Sequence, residues 1–188
     1  MDQEFRLLLL GVPEVAWQGQ PFTLPRRQAR ALLFYLAAER QLVPRNQLTF
    51  LLWPDTSEST ARRNLTRLLS YLRNTLPQPD LLGATRTGVA LNTNLAELDT
   101  VQFSKWCTAN EATGWESAVA LYRGRFLDGF TLSDSPEFDQ WLSQTQRRYE
   151  RIYLDTLHKL VMTNSENGDL SAAIRYAQRY LATDNLSE

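Results

Sequence analysis

Hydrophobic residues change their period twice along the first half of the chain. Phe5-Arg6-Leu7-Leu8-Leu9-Leu10-Gly11 reads as a short strand ended by glycine, and Glu14-Val15-Ala16-Trp17-Gln18-Gly19 and Pro21-Phe22-Thr23-Leu24 follow as brief β-rich stretches punctuated by Gly and Pro. Three such stretches in succession predict a small antiparallel sheet. From residue 26 the spacing becomes helical, with Ala29, Leu32, Leu33, Leu36 and Ala37 recurring over 26–39. Pro44 suits the first position of a second, short helix that carries Leu48, Leu51 and Leu52 and stops at Pro54. Asp55, Thr56 and Ser57 offer N-caps for a third helix, and 57–76 then runs without Gly or Pro up to Pro77.

The third helix is the most informative element. Placed at 100° intervals, Ala61, Leu65, Leu68, Leu69, Leu72 and Leu76 fall within a stripe about 100° wide, the width of a core-facing surface. Arg63, Thr66, Arg67, Ser70 and Asn74 occupy the opposite face, with Arg62 and Arg73 on its shoulder. After the helix, the apolar residues on either side of Thr87-Gly88 predict a β-hairpin with Arg86 at its tip, and 92–98 is expected to be a linker.

Beyond Asp99 the pattern predicts helices alone, over 99–111, 115–122, 136 to about 164, and 169–182, with Gly124, Gly129 and Gly168 as breaks. Ala172, Ala173, Tyr176, Ala177, Tyr180 and Leu181 interleave small and large apolar residues, as stacked helical hairpins require. An α+β domain over 1–93 followed by an all-α domain over 94–188 is therefore expected.

Charge sharpens this division. The chain as a whole has net charge −1, but residues 1–93 hold eleven arginines, no lysine and seven acids, a net +4, while 94–188 hold nine bases and fourteen acids, a net −5. The first half suits a polyanion and the second a neutral or basic partner. The run Leu7–Leu10 is too short for a membrane span, and Asp2 and Glu4 precede it where a secretory signal carries Lys or Arg, so the expected location is the cytoplasm and no membrane partner is expected. The single cysteine, Cys107, fits a reducing compartment as a small buried hydrophobe.

Enzyme chemistry finds little support. The two lysines, Lys105 and Lys159, lie in no glycine-rich phosphate loop, and His158 has no Cys or second His near it in sequence. Asp134, Glu137 and Asp139 follow Ser135-Pro136, where helix capping and the helix dipole account for them. No catalytic residue, metal ligand or cofactor is expected.

Duplex DNA is a better match. An α-helix fits the major groove, arginine donates two hydrogen bonds to guanine, and Ser, Thr and Asn reach bases or phosphates. The candidate DNA-binding set on the third helix is Arg62, Arg63, Thr66, Arg67, Ser70, Arg73 and Asn74, of which Arg63 and Arg67 are expected to read bases, with Arg86 entering a minor groove from the hairpin and Arg26, Arg27 and Arg30 touching phosphates from the start of the first helix. An arginine-bearing helix face is usually only a solvated surface. What favours DNA is the order of elements: a sheet, three helices of which the last is long and basic, and an arginine-tipped hairpin make the winged-helix order.

Leu10-Gly11-Val12-Pro13-Glu14-Val15, the stretch from Leu24-Pro25-Arg26-Arg27 to Leu32-Leu33, Leu51-Leu52-Trp53-Pro54-Asp55, and Ala61-Arg62-Arg63-Asn64-Leu65 through Leu72-Arg73 resemble bacterial regulators of the AfsR/SARP type, whose first domain is an OmpR/PhoB-type winged helix. The segments from Leu121-Tyr122-Arg123-Gly124 to Gly129-Phe130, Glu137-Phe138-Asp139-Gln140-Trp141-Leu142 and Gly168-Asp169-Leu170-Ser171-Ala172-Ala173-Ile174 are similar to the bacterial transcriptional activator domain, a tetratricopeptide-like helical bundle. The resemblance implies binding at repeated promoter sites, as a dimer or as monomers paired on DNA, and contact with RNA polymerase. The family often has proline after the closing aspartate, whereas Asp184 is followed by Asn185. A repeat stack without a polar capping helix is expected to continue, into further repeats or an ATPase module.

Two readings stay open. The chain is either a sequence-specific DNA-binding regulator, or a protein-docking module of a larger signalling regulator without DNA contact. Trp106, Trp115, Tyr122, Trp141, Tyr149 and Tyr153 would line a partner groove in the second reading and a bundle core in the first.

Overall fold

A computed structural model describes residues 5–184; Asp2, Glu4 and the closing 185–188 lie outside the described residues. The chain begins with β1 (Phe5–Leu8), β2 (Glu14–Trp17) and β3 (Gln20–Pro21). Phe5 and Leu7 face inward while Arg6 faces out and pairs with Glu97 at 2.9 Å, the alternation of a half-buried strand. Gln18 and Gly19 both take positive φ, as a tight hairpin between β2 and β3 demands. The expected linker is partly a strand, β7 (Ala96–Leu98), which lies parallel to β1 and completes a sheet of order β3-β2-β1-β7.

The three helices that follow are α1 (Arg27–Glu39), α2 (Arg45–Leu52) and α3 (Glu58–Thr75). From Ala31 to Ala37 every residue of α1 is buried, so this helix is enclosed on all sides rather than amphipathic. It ends at Arg40 in the left-handed region, whose N–H returns to the Leu36 carbonyl. Pro44, expected inside the second helix, belongs instead to a two-residue strand, β4 (Val43–Pro44). The apolar stripe of α3 is buried as its spacing predicts, and Leu76, held extended ahead of Pro77, ends the helix.

The hairpin forms from β5 (Leu82–Ala84) and β6 (Gly88–Leu91), and β4 joins it to give a second sheet of order β4-β6-β5. This three-stranded wing stands beside the exposed face of α3.

The second half contains α4 (Asp99–Cys107), α5 (Ala112–Leu121), α6 (Pro136–Glu166) and α7 (Leu170–Asp184). Helix α4 stops short of the expected 111, and α5 runs through Gly114. At 1.5 Å per residue the 31 residues of α6 span about 46 Å, and α7 folds back along it after Gly168. Leu170, Ile174 and Leu181 are exposed on α7. Among the described residues no helix is long and apolar enough to cross a membrane.

The halves share one hydrophobic core. Residues 123–128 run along 9–11, with hydrogen bonds from Gly11 N–H to the Arg125 carbonyl and from Leu127 N–H to the Leu9 carbonyl. Phe34 of α1 meets Phe130 edge-on at 5.3 Å, Tyr35 meets Trp141 at 4.8 Å, and Ser135 donates to the Leu51 carbonyl. Tyr122, Tyr149 and Tyr153 are buried, while Trp106, Trp115 and Trp141 pack against the same core, so these aromatics are chiefly packing surface; Trp141 also lines a shallow groove beside Tyr35 and Phe50.

Candidate nucleic-acid interface

The interface is built around α3. Arg62, Arg63, Thr66, Arg67, Ser70, Arg73 and Asn74 are all exposed, and the second domain leaves their face open. At 100° per residue Arg63, Ser70 and Asn74 form the crest, with Thr66 and Arg67 on either side. Local bonds hold several of these side chains: Arg62 pairs with Glu58 one turn back, Arg63 donates to Thr60 Oγ1 at 3.1 Å, and the Thr66 hydroxyl donates to the Arg62 carbonyl. Exposed pairs of this kind are weak, so Arg62 exchanges Glu58 for another anion at little cost.

A groove runs along each flank of the crest. Arg45, Asn46, Arg62, Leu65, Thr66, Ala84, Thr85, Arg86 and Thr87 line the one between α3 and the wing. On the other flank lie Arg26, Arg27, Gln28, Trp53, Asn64, Arg67 and Leu68. Each groove contains three arginines and no acid, so a polyanion lying across α3 would meet like-signed walls on both sides. Arg45 and Asn46 are absent from the sequence-based set. The available signal was their position, since the helix before a recognition helix commonly crosses the DNA backbone.

The wing is fixed by a compact set of bonds. Thr85 Oγ1 accepts from the N–H groups of Thr87 and Gly88 at 3.2 and 3.0 Å, closing the turn and leaving Arg86 exposed at its apex. Arg45 donates to the Thr85 carbonyl through Nε at 2.9 Å and to the Thr87 carbonyl through its backbone N–H at 3.1 Å. Arg73 reaches the Ala84 carbonyl at 3.4 Å, tying the last turn of α3 to β5.

The three arginines at the start of α1 separate. Arg26 is exposed and stacks over the Tyr71 ring at 4.3 Å. Arg27 donates to the backbone and hydroxyl oxygens of Thr131 in the second half, and half-buried Arg30 lies over the Phe130 ring at 5.7 Å. The structure thus leaves Arg26 in the groove, ties Arg27 at the groove's edge to the second half, and sets Arg30 against the domain seam.

Elsewhere, Asp99 is buried at the start of α4, where its Oδ2 accepts from the N–H groups of Leu9 and Leu10 at 2.8 and 2.9 Å. Burial pushes its carboxyl up; the two backbone bonds and Arg123 oppose this without cancelling it. His158 is exposed on α6, and Cys107 is buried, its thiol also pushed up by burial.

Element order and site geometry together define a winged-helix domain joined to a helical domain. Residues 100–188 match the family model of the bacterial transcriptional activator domain. Over those residues the chain is similar to that domain family, in agreement with the resemblance of its second half read from the sequence. No curated protein matches the chain. Mycobacterium tuberculosis EmbR, solved in complex with a low-affinity phosphopeptide, matches with a TM-score of 0.64 at 18% identity, over 97% of this chain and 57% of that one. The two share a fold across both halves, and this chain spans little more than half the length of its structural neighbour.

Proposed function

We propose that the protein is a cytoplasmic, sequence-specific DNA-binding regulator with no catalytic role. Helix α3 enters the major groove, the wing places Arg86 in the adjacent minor groove, and the activator domain contacts RNA polymerase. The observation that carries this reading is the pair of acid-free grooves, three arginines in each, flanking an exposed polar crest. Phosphate contacts along both grooves position the duplex, while Arg63 and Arg67 read bases.

Selection of binding sites from random duplexes tests the reading directly. About five phosphate contacts give a log affinity slope of roughly −4 to −5 against log salt. Arg63→Ala or Arg67→Ala should weaken the selected site more than random DNA, by about 1 to 3 kcal/mol, whereas Arg26→Ala should weaken both alike. A protein that shifts no duplex even at low salt would instead be a docking module without DNA contact.

A further inference from the structure

Arg45 stands apart from the other arginines because it grips the wing. Its backbone N–H and its side-chain Nε end on the carbonyls of Thr87 and Thr85, the two residues that flank Arg86. The same guanidinium lines the groove opposite Arg62 and Thr66. The Thr85 hydroxyl closes the turn internally, but it does not connect the turn to a helix. That connection comes from Arg45, the first residue of α2, immediately after the β4 strand that pairs Pro44 with Gly88. Arg73 provides a second tie further down, at Ala84.

We infer that the Arg45 side chain is a positioning group: its backbone N–H holds the Thr87 carbonyl as any residue's would, but its Nε adds the grip on the Thr85 carbonyl that sets where the wing's apex arginine meets the minor groove, and so tunes recognition there. The inference rests on the DNA-binding reading above. Arginine is suited to the task because its Nε–H is held by the rigid guanidinium plane. A lysine keeps the charge but offers only a terminal ammonium on a flexible stem. Minor-groove edges distinguish A·T from G·C pairs and little else, so the affinity ratio between duplexes carrying A·T or G·C pairs beneath the wing reads the minor-groove contact, and Arg86→Ala fixes the share of that ratio due to Arg86.

The test measures that ratio on the selected site, together with the salt slope, for the wild type, Arg45→Ala, Arg45→Lys, Arg86→Ala and the Arg45→Ala/Arg86→Ala double variant. Thermal melting of each accompanies the binding data. Arg45→Ala and Arg45→Lys should both lower the A·T preference by about 5- to 10-fold, the size of one lost base-edge contact. Arg45→Lys should do so with its salt slope within about one of the wild type's. Once Arg86 is gone, Arg45→Ala should change the ratio by less than about twofold, because coupled residues are not additive. An unchanged ratio in Arg45→Lys, or an equal loss with and without Arg86, overturns the inference while DNA binding stands. A wild type that binds no duplex overturns the functional reading and this inference together.

Discussion

Gly88 marks the point where the hairpin packs against β4. A Cβ there would lie 2.7 Å from both the Val43 carbonyl oxygen and Leu42 Cγ, and the first of these is backbone that cannot swing aside. Gly88→Ala should therefore push β4 off β6 and cost about 1 to 3 kcal/mol, read as a lower denaturation midpoint. An unchanged midpoint would mean that β4 yields freely. The sequence marks Gly88 as a turn residue, yet its demand is for space against a strand some 45 positions earlier. The grip of Arg45 on the wing was illegible for the same reason, because the Thr85 carbonyl it holds lies forty residues away on a hairpin that must first fold back. Arg30 was legible as a basic residue near a helix start; that Phe130 would lie beneath it was not.

At the scale of elements, periodicity succeeded where a run was long. The stripe of α3 and its polar face follow directly from 3.6-residue spacing, and capping and proline signals place its ends within a residue. β4 and β7 escaped because strands of two and three residues contain too few alternations to register, and both exist only by virtue of their partners, β6 and β1. The junction from β7 into α4 carries a second prediction. Because burial raises the Asp99 pKa in the folded chain, the native state keeps this proton to higher pH than the unfolded chain does. Its contribution favours folding below the ordinary carboxyl range, and is lost as pH rises through the raised folded value. Asp99→Asn should flatten that part of the stability profile from about pH 4 upward, as measured by chemical denaturation across pH. Asp99→Ala should cost about 2 to 5 kcal/mol at neutral pH, since the N–H groups of Leu9 and Leu10 lose their acceptor in a buried site. A parallel profile for Asp99→Asn and the wild type would remove Asp99 from the account.

For the whole molecule, opposite charges on the two halves made a division legible, but not how firmly the halves are joined. The seam is made of pairs roughly a hundred residues apart, which local pattern cannot reveal. Phe126 is fully buried in it: its backbone bridges to Leu10 of the first half, while its ring is stacked 5.3 Å from Tyr149 and edge-on to Trp141 at 5.9 Å on the side of the second. With the core continuous from α1 to α6, calorimetry should record one cooperative transition. Phe126→Ala should lower that transition as a unit, by about 3 to 5 kcal/mol. Two separated transitions in the wild type would show that the halves melt independently.

Among the described residues this seam joins the surface proposed to face DNA firmly to the helices behind it. In the proposed complex each bound copy would carry α7 at a set azimuth around the duplex, dictated by the groove that α3 occupies. Adding about five base pairs between adjacent sites would turn one activator domain to the far side of the helix, whereas about ten would bring it back into phase.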